Sequence, residues 1–320
     1  MKLTAAELKE QIDMTRLLCA RSSPIMDAIQ TCTNQFVDET ILDDLSTKLI
    51  DTLKHSIGLT TKCLIGQYFM TLANLFPSIC SKYVGKWMAV LVNTMSNNSN
   101  RTLRKTFTSV LGTIVRLAKR SSIENLLQKL SNWFYQTDND YQYVCALTLN
   151  SISQSNHDLL VEYGQQSLPL IFLAMQDNSV KQKTDEDLQE EMIWKNLWME
   201  NTGSSMSGIQ LYMNGIREQI RLAIEHSSYS MKIKGAKAIQ MIADVLKANI
   251  KQQDLEFLVE YLLKGLYGRV YDGKVRKHRF FSKDFRYGIF VFVRLGKFSS
   301  RNRVTLYELQ VGFVLFYIFK

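Results

Sequence analysis

The sequence is poor in the residues that break helices and turn strands. Its 320 residues hold 3 prolines and 15 glycines, too few for an all-β design built on many tight turns. Five cysteines, Cys19, Cys32, Cys63, Cys80 and Cys145, are scattered without a CxxC pair. Each falls in a helical apolar context, and they read as buried thiols of a reducing compartment. The four histidines, His55, His157, His226 and His278, have no cysteine or carboxylate partner at metal-ligand spacing. His55 and His226 fall at helix ends, where an imidazole favours the C-terminus. No phosphate-cradling GxxxxGK[ST], no GxGxxG after a strand, no HExxH and no GxSxG occurs. The chain is therefore expected to be no enzyme, with no catalytic or metal residues and no cofactor. The first ten residues include Lys2, Glu7, Lys9 and Glu10 and no apolar core, so no secretory leader is expected. No apolar run reaches the roughly 18 residues of a membrane span.

The net charge of +9 suggests a nucleic-acid surface until it is located. Residues 275–320 hold ten basic and two acidic side chains, a net +8, which leaves residues 1–274 at +1. A nearly neutral body carries no phosphate-tracking footprint, and no nucleic-acid partner is expected of it. Binding of nucleic acid would depend on the basic tail alone.

What the chain does have is apolar residues (46%, with 11% aromatics), enough to bury a core, and these recur in a pattern. In the stretch 101–120, RTLRKTFTSVLGTIVRLAKR, Phe107, Leu111 and Ile114 fall at i, i+4 and i+7 on one helical face, followed by the small Thr108. Ile65, Phe69 and Leu72 repeat the pattern with Gly66 as the small neighbour. Cys145, Leu149 and Ile152 repeat it with Ala146, and Gly235, Ile239 and Ile242 with Ala236. The anchors lie 42, 38 and 90 residues apart, the last about two units of 45. A helical unit returning at roughly 40–47 residues is the period of HEAT and armadillo repeats. The expected fold is all-α, an α-solenoid of HEAT/armadillo-type helix pairs with an irregular C-terminal tail.

Along the chain, residues 1–35 read as one or two N-terminal helices, with Thr4 at a capping-box spacing from Glu7 and Pro24 as a breaker. HEAT-type pairs follow over 36–180: helices over 38–55 and 59–75, 79–95 and 101–119, 122–135 and 141–154, then 157–177 with a kink at Pro169. Residues 181–208 form an acidic, tryptophan-bearing insertion ending in a Gly-Ser loop, and helical pattern resumes over 209–274, the last pair incomplete. The insertion places Trp194 and Trp198 four residues apart, on one side of a helix. They serve either as core residues sealing an irregular joint or, with Tyr212, as candidate contacts to a partner.

Several stretches resemble one family. Asn196-Leu-Trp-Met-Glu-Asn201, Gly203 and Gly208-Ile-Gln-Leu-Tyr212, with KIKGAKAIQMI at 232–242 and LKGLYGRVYDG at 263–273, are similar to the HEAT-repeat proteasome adaptor and scaffold family. ENLLQKLSNW at 124–133, Cys145-Ala146-Leu147 and the run from Ile41 through Gly58 to Lys62 fit it too. The resemblance extends over about 36–274. It implies a fragment of a longer, non-catalytic array that binds regulatory and core particle subunits of the proteasome, in the cytoplasm and by extension the nucleus. The alternative is a HEAT-type nuclear transport receptor or another protein-binding solenoid. After Lys274 the family pattern ends. Residues 275–320 hold nine of the sixteen phenylalanines and no alanine, and they read either as a gene-model artefact or as an authentic basic, β-rich extension, not as a repeat.

Overall fold

The computed structural model describes residues 5–36, 38–136, 139–176, 185–203 and 205–267. The expected cap at Thr4 and the whole 275–320 tail lie outside the described residues, as do residues 181–184 of the acidic stretch. Among the described residues every regular element is a helix. They fall into two compact units, 1–163 and from Gly164 onward.

The first unit holds α1 (Ala5–Arg21), α2 (Pro24–Phe36), α3 (Glu39–His55), α4 (Leu59–Leu75), the single turn α5 (Pro77–Cys80), α6 (Val84–Ser96), α7 (Arg101–Ile114), α8 (Arg120–Phe134), α9 (Asn139–Ser155) and the short α10 (His157–Glu162). Pairs α3/α4, α6/α7 and α8/α9 are the repeats. Their second helices, α4, α7 and α9, pack side by side as one row; the first helices, α3, α6 and α8, form the other. The recurring pattern is the inner face of the α4–α7–α9 row. Ile65, Phe69 and Leu72 of α4, Phe107, Leu111 and Ile114 of α7, and Cys145, Leu149 and Ile152 of α9 are all buried. The small neighbour now has a reason. A Cβ on Gly66 would lie 2.8 Å from Cε1 of Phe107, the anchor of the next repeat. The seam between α7 and α9 is tighter still at Gly112, where a Cβ would lie 2.6 Å from the backbone carbon of Ser151.

Helix ends follow local chemistry. Asp38 accepts from the Ile41 amide at 2.9 Å, and Asn100 accepts from that of Leu103 at 3.1 Å; each satisfies one orphan donor of a first turn. The His55 ring meets the Asp51 carbonyl at 2.8 Å, the C-terminal placement its position suggested. His226 differs: its Nδ1 accepts from the Ser228 amide beyond the helix. The two rows are tied by aromatics. Trp87 of α6 stacks on Phe69 of α4, centroids 4.7 Å apart, and its indole donates to Ser46 Oγ of α3 at 2.8 Å. Helix α1 lies against α4 and α7, with Glu10 paired to Lys105 at 2.5 Å and Asp13 accepting from Asn100 at 3.1 Å.

The second unit holds α11 (Gly164–Ala174), α12 (Asp185–Thr202), α13 (Ser205–Glu225), α14 (Tyr229–Leu246) and α15 (Gln252–Tyr267). Helix α13 is its hub and packs on α11, α12, α14 and α15. Two expectations change. The helix read over 157–177 is interrupted at Tyr163, and the boundary between units falls there, earlier than the division at 180. The one read over 79–95 is broken, because Pro77–Cys80 closes one turn before α6 begins at Val84. Pro169 sits inside α11, and the room for its ring comes from Gly215 of α13, whose Cβ would lie 2.5 Å from Pro169 Cγ.

Candidate partner surface

Helix α12 was singled out by its tryptophans, and the structure shows which way they face. Trp194 and Trp198 are each 1% exposed and Tyr212 is 6% exposed. As they sit, none of the three offers its ring to a partner, and of the two readings of the tryptophans the core role is the one their packing fits. The physical reason is the joint they fill. The Trp198 ring lies 5.0 Å from that of Phe172 on α11. Gly208 lets α13 close on it, since a Cβ there would lie 2.9 Å from Trp198 Cζ2. Gly203 makes the turn with φ of 65°, the left-handed region open to glycine. Tyr212 in turn lies over Gly164, where a Cβ would meet its hydroxyl at 2.6 Å. The stretch 196–212 is thus a single packing motif, with large rings seated on glycines.

A polar cluster that the sequence reading passed over sits beside it. Lys234 of α14 is buried, and its ammonium donates to the carbonyls of Ala174 at 2.7 Å and Gln176 at 2.8 Å. It thereby caps the C-terminal end of α11. Glu190 of α12 accepts from the Trp194 indole at 3.0 Å. Burial pushes the Glu190 carboxyl above its ordinary pKa, opposed by the Trp194 hydrogen bond and by the charge of Lys234. One signal could have found Lys234: it shares a face with Met231, Ala238 and Ile242, all buried, where a lysine is out of place unless its charge has partners.

What α12 does present outward is a second apolar stripe. Leu188, Met192 and Met199 are 46%, 62% and 53% exposed. The described residues include no cluster of potential ligands for a metal ion and no helix long and apolar enough to cross a membrane. Buried thiols are held inert: burial pushes Cys63 and Cys80 up to about 11, and the Cys80 and Cys145 thiols donate to the Leu72 and Leu130 carbonyls. Cys19 is exposed, which corrects its reading as a buried thiol, and Cys32 has no described side chain.

Comparison with known proteins identifies the array. Residues 1–135 match the model of the HEAT-repeat domain of the proteasome adapter and scaffold protein ECM29, so the likeness takes in the N-terminal helices ahead of residue 36. The human proteasome adapter and scaffold protein ECM29 is 32% identical over 267 residues, 83% of this chain and 14% of that protein. The proteasome-associated protein ECM29 homolog of Drosophila melanogaster is 30% identical over 270 residues, 84% of this chain and 14% of its own. The proteasome component ECM29 of Saccharomyces cerevisiae is 22% identical over 266 residues, 82% of this chain and 14% of its own. The chain therefore spans about one seventh of the length of these relatives. With its rows of paired helices and these identities along most of its length, the chain corresponds to one segment of an ECM29-like HEAT-repeat protein.

Proposed function

We propose that this chain is a non-catalytic, protein-binding segment of a proteasome scaffold, and that it contributes to holding regulatory and core particles together during assembly or quality control. The observation that carries the reading is the sustained identity to relatives named as proteasome adapter, associated protein and component, over 82–84% of the chain. The physics of the fold suits the role. Each helix pair leans on its neighbours, so surface extends along the array while no repeat needs a separate core. Large partners are then held over many modest contacts rather than in one pocket. The transport-receptor alternative is not favoured, because these relatives are named for the proteasome. The location that goes with the reading is the cytoplasm, and the nucleus as well.

The tail from residue 275 is read as foreign to the array. Its phenylalanine-rich, alanine-free composition supports that. Transcript reads that splice after Lys274 into a helical continuation are expected; even coverage to a stop after Lys320 would oppose the reading.

The test of the scaffold function uses the full chain added to purified proteasome under conditions that separate its particles, followed on native gels. Slower separation is the expected result. Unchanged separation at a concentration where the chain is bound would remove the holding role and leave only attachment.

A further inference from the structure

Most exposed apolar side chains of a globular protein are scattered singly and call for no explanation. Those on α12 are not scattered. Leu188, Met192 and Met199 are spaced by four and seven residues, which returns them to within about 40° of one another around the helix. They lie opposite Trp194, Leu197 and Trp198, which fill the joint with α11 and α13. The helix is thus apolar on two sides, and only one side has a partner among the described residues. The fourth position of the outer stripe is Lys195, whose ammonium is drawn onto Glu191 one turn back and so adds little free positive charge to the face. From Leu188 to Met199 the stripe runs about 16 Å, some three turns.

The borders of the stripe are acidic. Helix α12 carries six carboxylates and one lysine. Of these, Glu190 turns inward to Trp194 and Glu191 is paired with Lys195, while Asp187 falls on one edge of the stripe and Glu200, with Gln189 and Asn196, on the other. An apolar strip between acidic edges matches a helix of the opposite design. Methionine thioethers adapt their shape to apolar knobs of varied size and are over-used on surfaces that receive amphipathic helices.

We propose that this outward face of α12 docks an amphipathic helix of a protein partner whose apolar stripe is flanked by lysine and arginine. The proposal goes beyond the scaffold reading and stands whichever protein supplies that helix. Apolar contact supplies the affinity. The acidic edges select the charge of the partner and raise its rate of encounter, which makes binding weaken with added salt.

The experiment is a fluorescence-anisotropy titration of the full chain with a labelled peptide of about 20 residues, leucines at i, i+4, i+7 and i+11 and lysines on both flanks. A scrambled peptide of the same composition and a version with glutamate flanks are the comparisons. The expected result is binding of the ordered basic peptide, weakened about tenfold or more by the pair Met192→Glu and Met199→Glu and by glutamate flanks. Met14→Glu, on the exposed side of α1, is expected to change nothing. Both substituted methionines face outward, so circular dichroism of the variant should match that of the parent. Equal binding of the scrambled peptide, or affinity indifferent to the double substitution, overturns the proposal. So does a photo-crosslinker at position 192 that captures residues 275–320 of the same chain, which would make the tail the occupant. Self-association in ultracentrifugation abolished by the double substitution would give the face to a second copy and overturn it as well. A parent chain that attaches to the proteasome but does not bind the ordered basic peptide sinks this inference alone, and one that binds the peptide but does not attach sinks the scaffold reading alone.

Discussion

Gly112→Ala is the substitution that most sharply probes the seam between repeats. In an open helical site, alanine in place of glycine would stabilise by up to about 1 kcal/mol through helix propensity. Position 112 is not open. The added Cβ would lie 2.1 Å from Ser151 Oγ and 2.6 Å from both the Cβ and the backbone carbon of Ser151. The hydroxyl can rotate away, but the backbone of α9 cannot, so α7 and α9 must separate by roughly 1 Å to restore ordinary contact. Overpacking of this kind costs about 1–3 kcal/mol, and a backbone obstacle belongs at the upper end. Asn156 also donates to the Gly112 carbonyl at 2.8 Å, and a shifted seam forfeits about 1 kcal/mol there. Set against the propensity gain, a net loss of about 3 kcal/mol is expected. Hydrogen-exchange mass spectrometry reads it locally, as lost protection in peptides from α7 and α9. Gly265→Ala is the control, since its nearest contacts are an ordinary 3.7 Å, and it should be neutral or stabilising. Undiminished protection in the Gly112→Ala chain would refute the close approach of these two helices.

Three further outcomes are expected. Trp194→Phe should cost more than Trp198→Phe, because the Trp194 indole donates to Glu190 whereas the buried Trp198 Nε1 has no acceptor among the described residues; equal losses of urea midpoint would contradict this. Glu190→Gln should stabilise the fold at neutral pH. The folded-state pKa of Glu190 is raised by burial, so the folded chain binds the proton more tightly and parent stability falls as pH rises from the unfolded value toward the folded one. The advantage of glutamine should therefore shrink on acidification through that window, and an advantage constant with pH would oppose the assignment. Iodoacetamide near pH 8 should label Cys19 well before Cys63 and Cys80, whose burial pushes them up to about 11; comparable rates at Cys19 and Cys63 would refute the packing around α4.

Much of this architecture was legible because it is repetitive. An i, i+4, i+7 face with a small neighbour, returning near forty residues, reports both helix and stacking, and Phe107 seated on Gly66 is the contact that makes the small residue necessary. The caps at Asp38 and Asn100 emerged only with the structure, where each side chain meets an amide three residues on. The break at Tyr163 was not, because residues 157–177 keep an apolar pattern across it. Proline told only part of the story: Pro169 reads as a kink, and that α11 continues around it with room made by Gly215, 46 residues later, was not legible. The site was harder still. Helix α12 carries two apolar stripes, Leu188–Met192–Met199 and Trp194–Leu197–Trp198, and periodicity cannot say which one faces inward. The sequence left the tryptophans open between core and partner contact; packing on Phe172 and Gly208 put them inside. Lys234 was overlooked because its carbonyl partners, at Ala174 and Gln176, lie about sixty residues away in sequence.

If this chain attaches to the proteasome through protein surface alone, as proposed, density-gradient sedimentation with purified particles will reveal it. The chain is incubated separately with regulatory particles, core particles and the assembled proteasome, and each gradient is probed for it. Co-migration with at least one particle, sensitive to salt but indifferent to chelators, is expected. A chain that stays at the top of all three gradients while retaining its helical spectrum would contradict it.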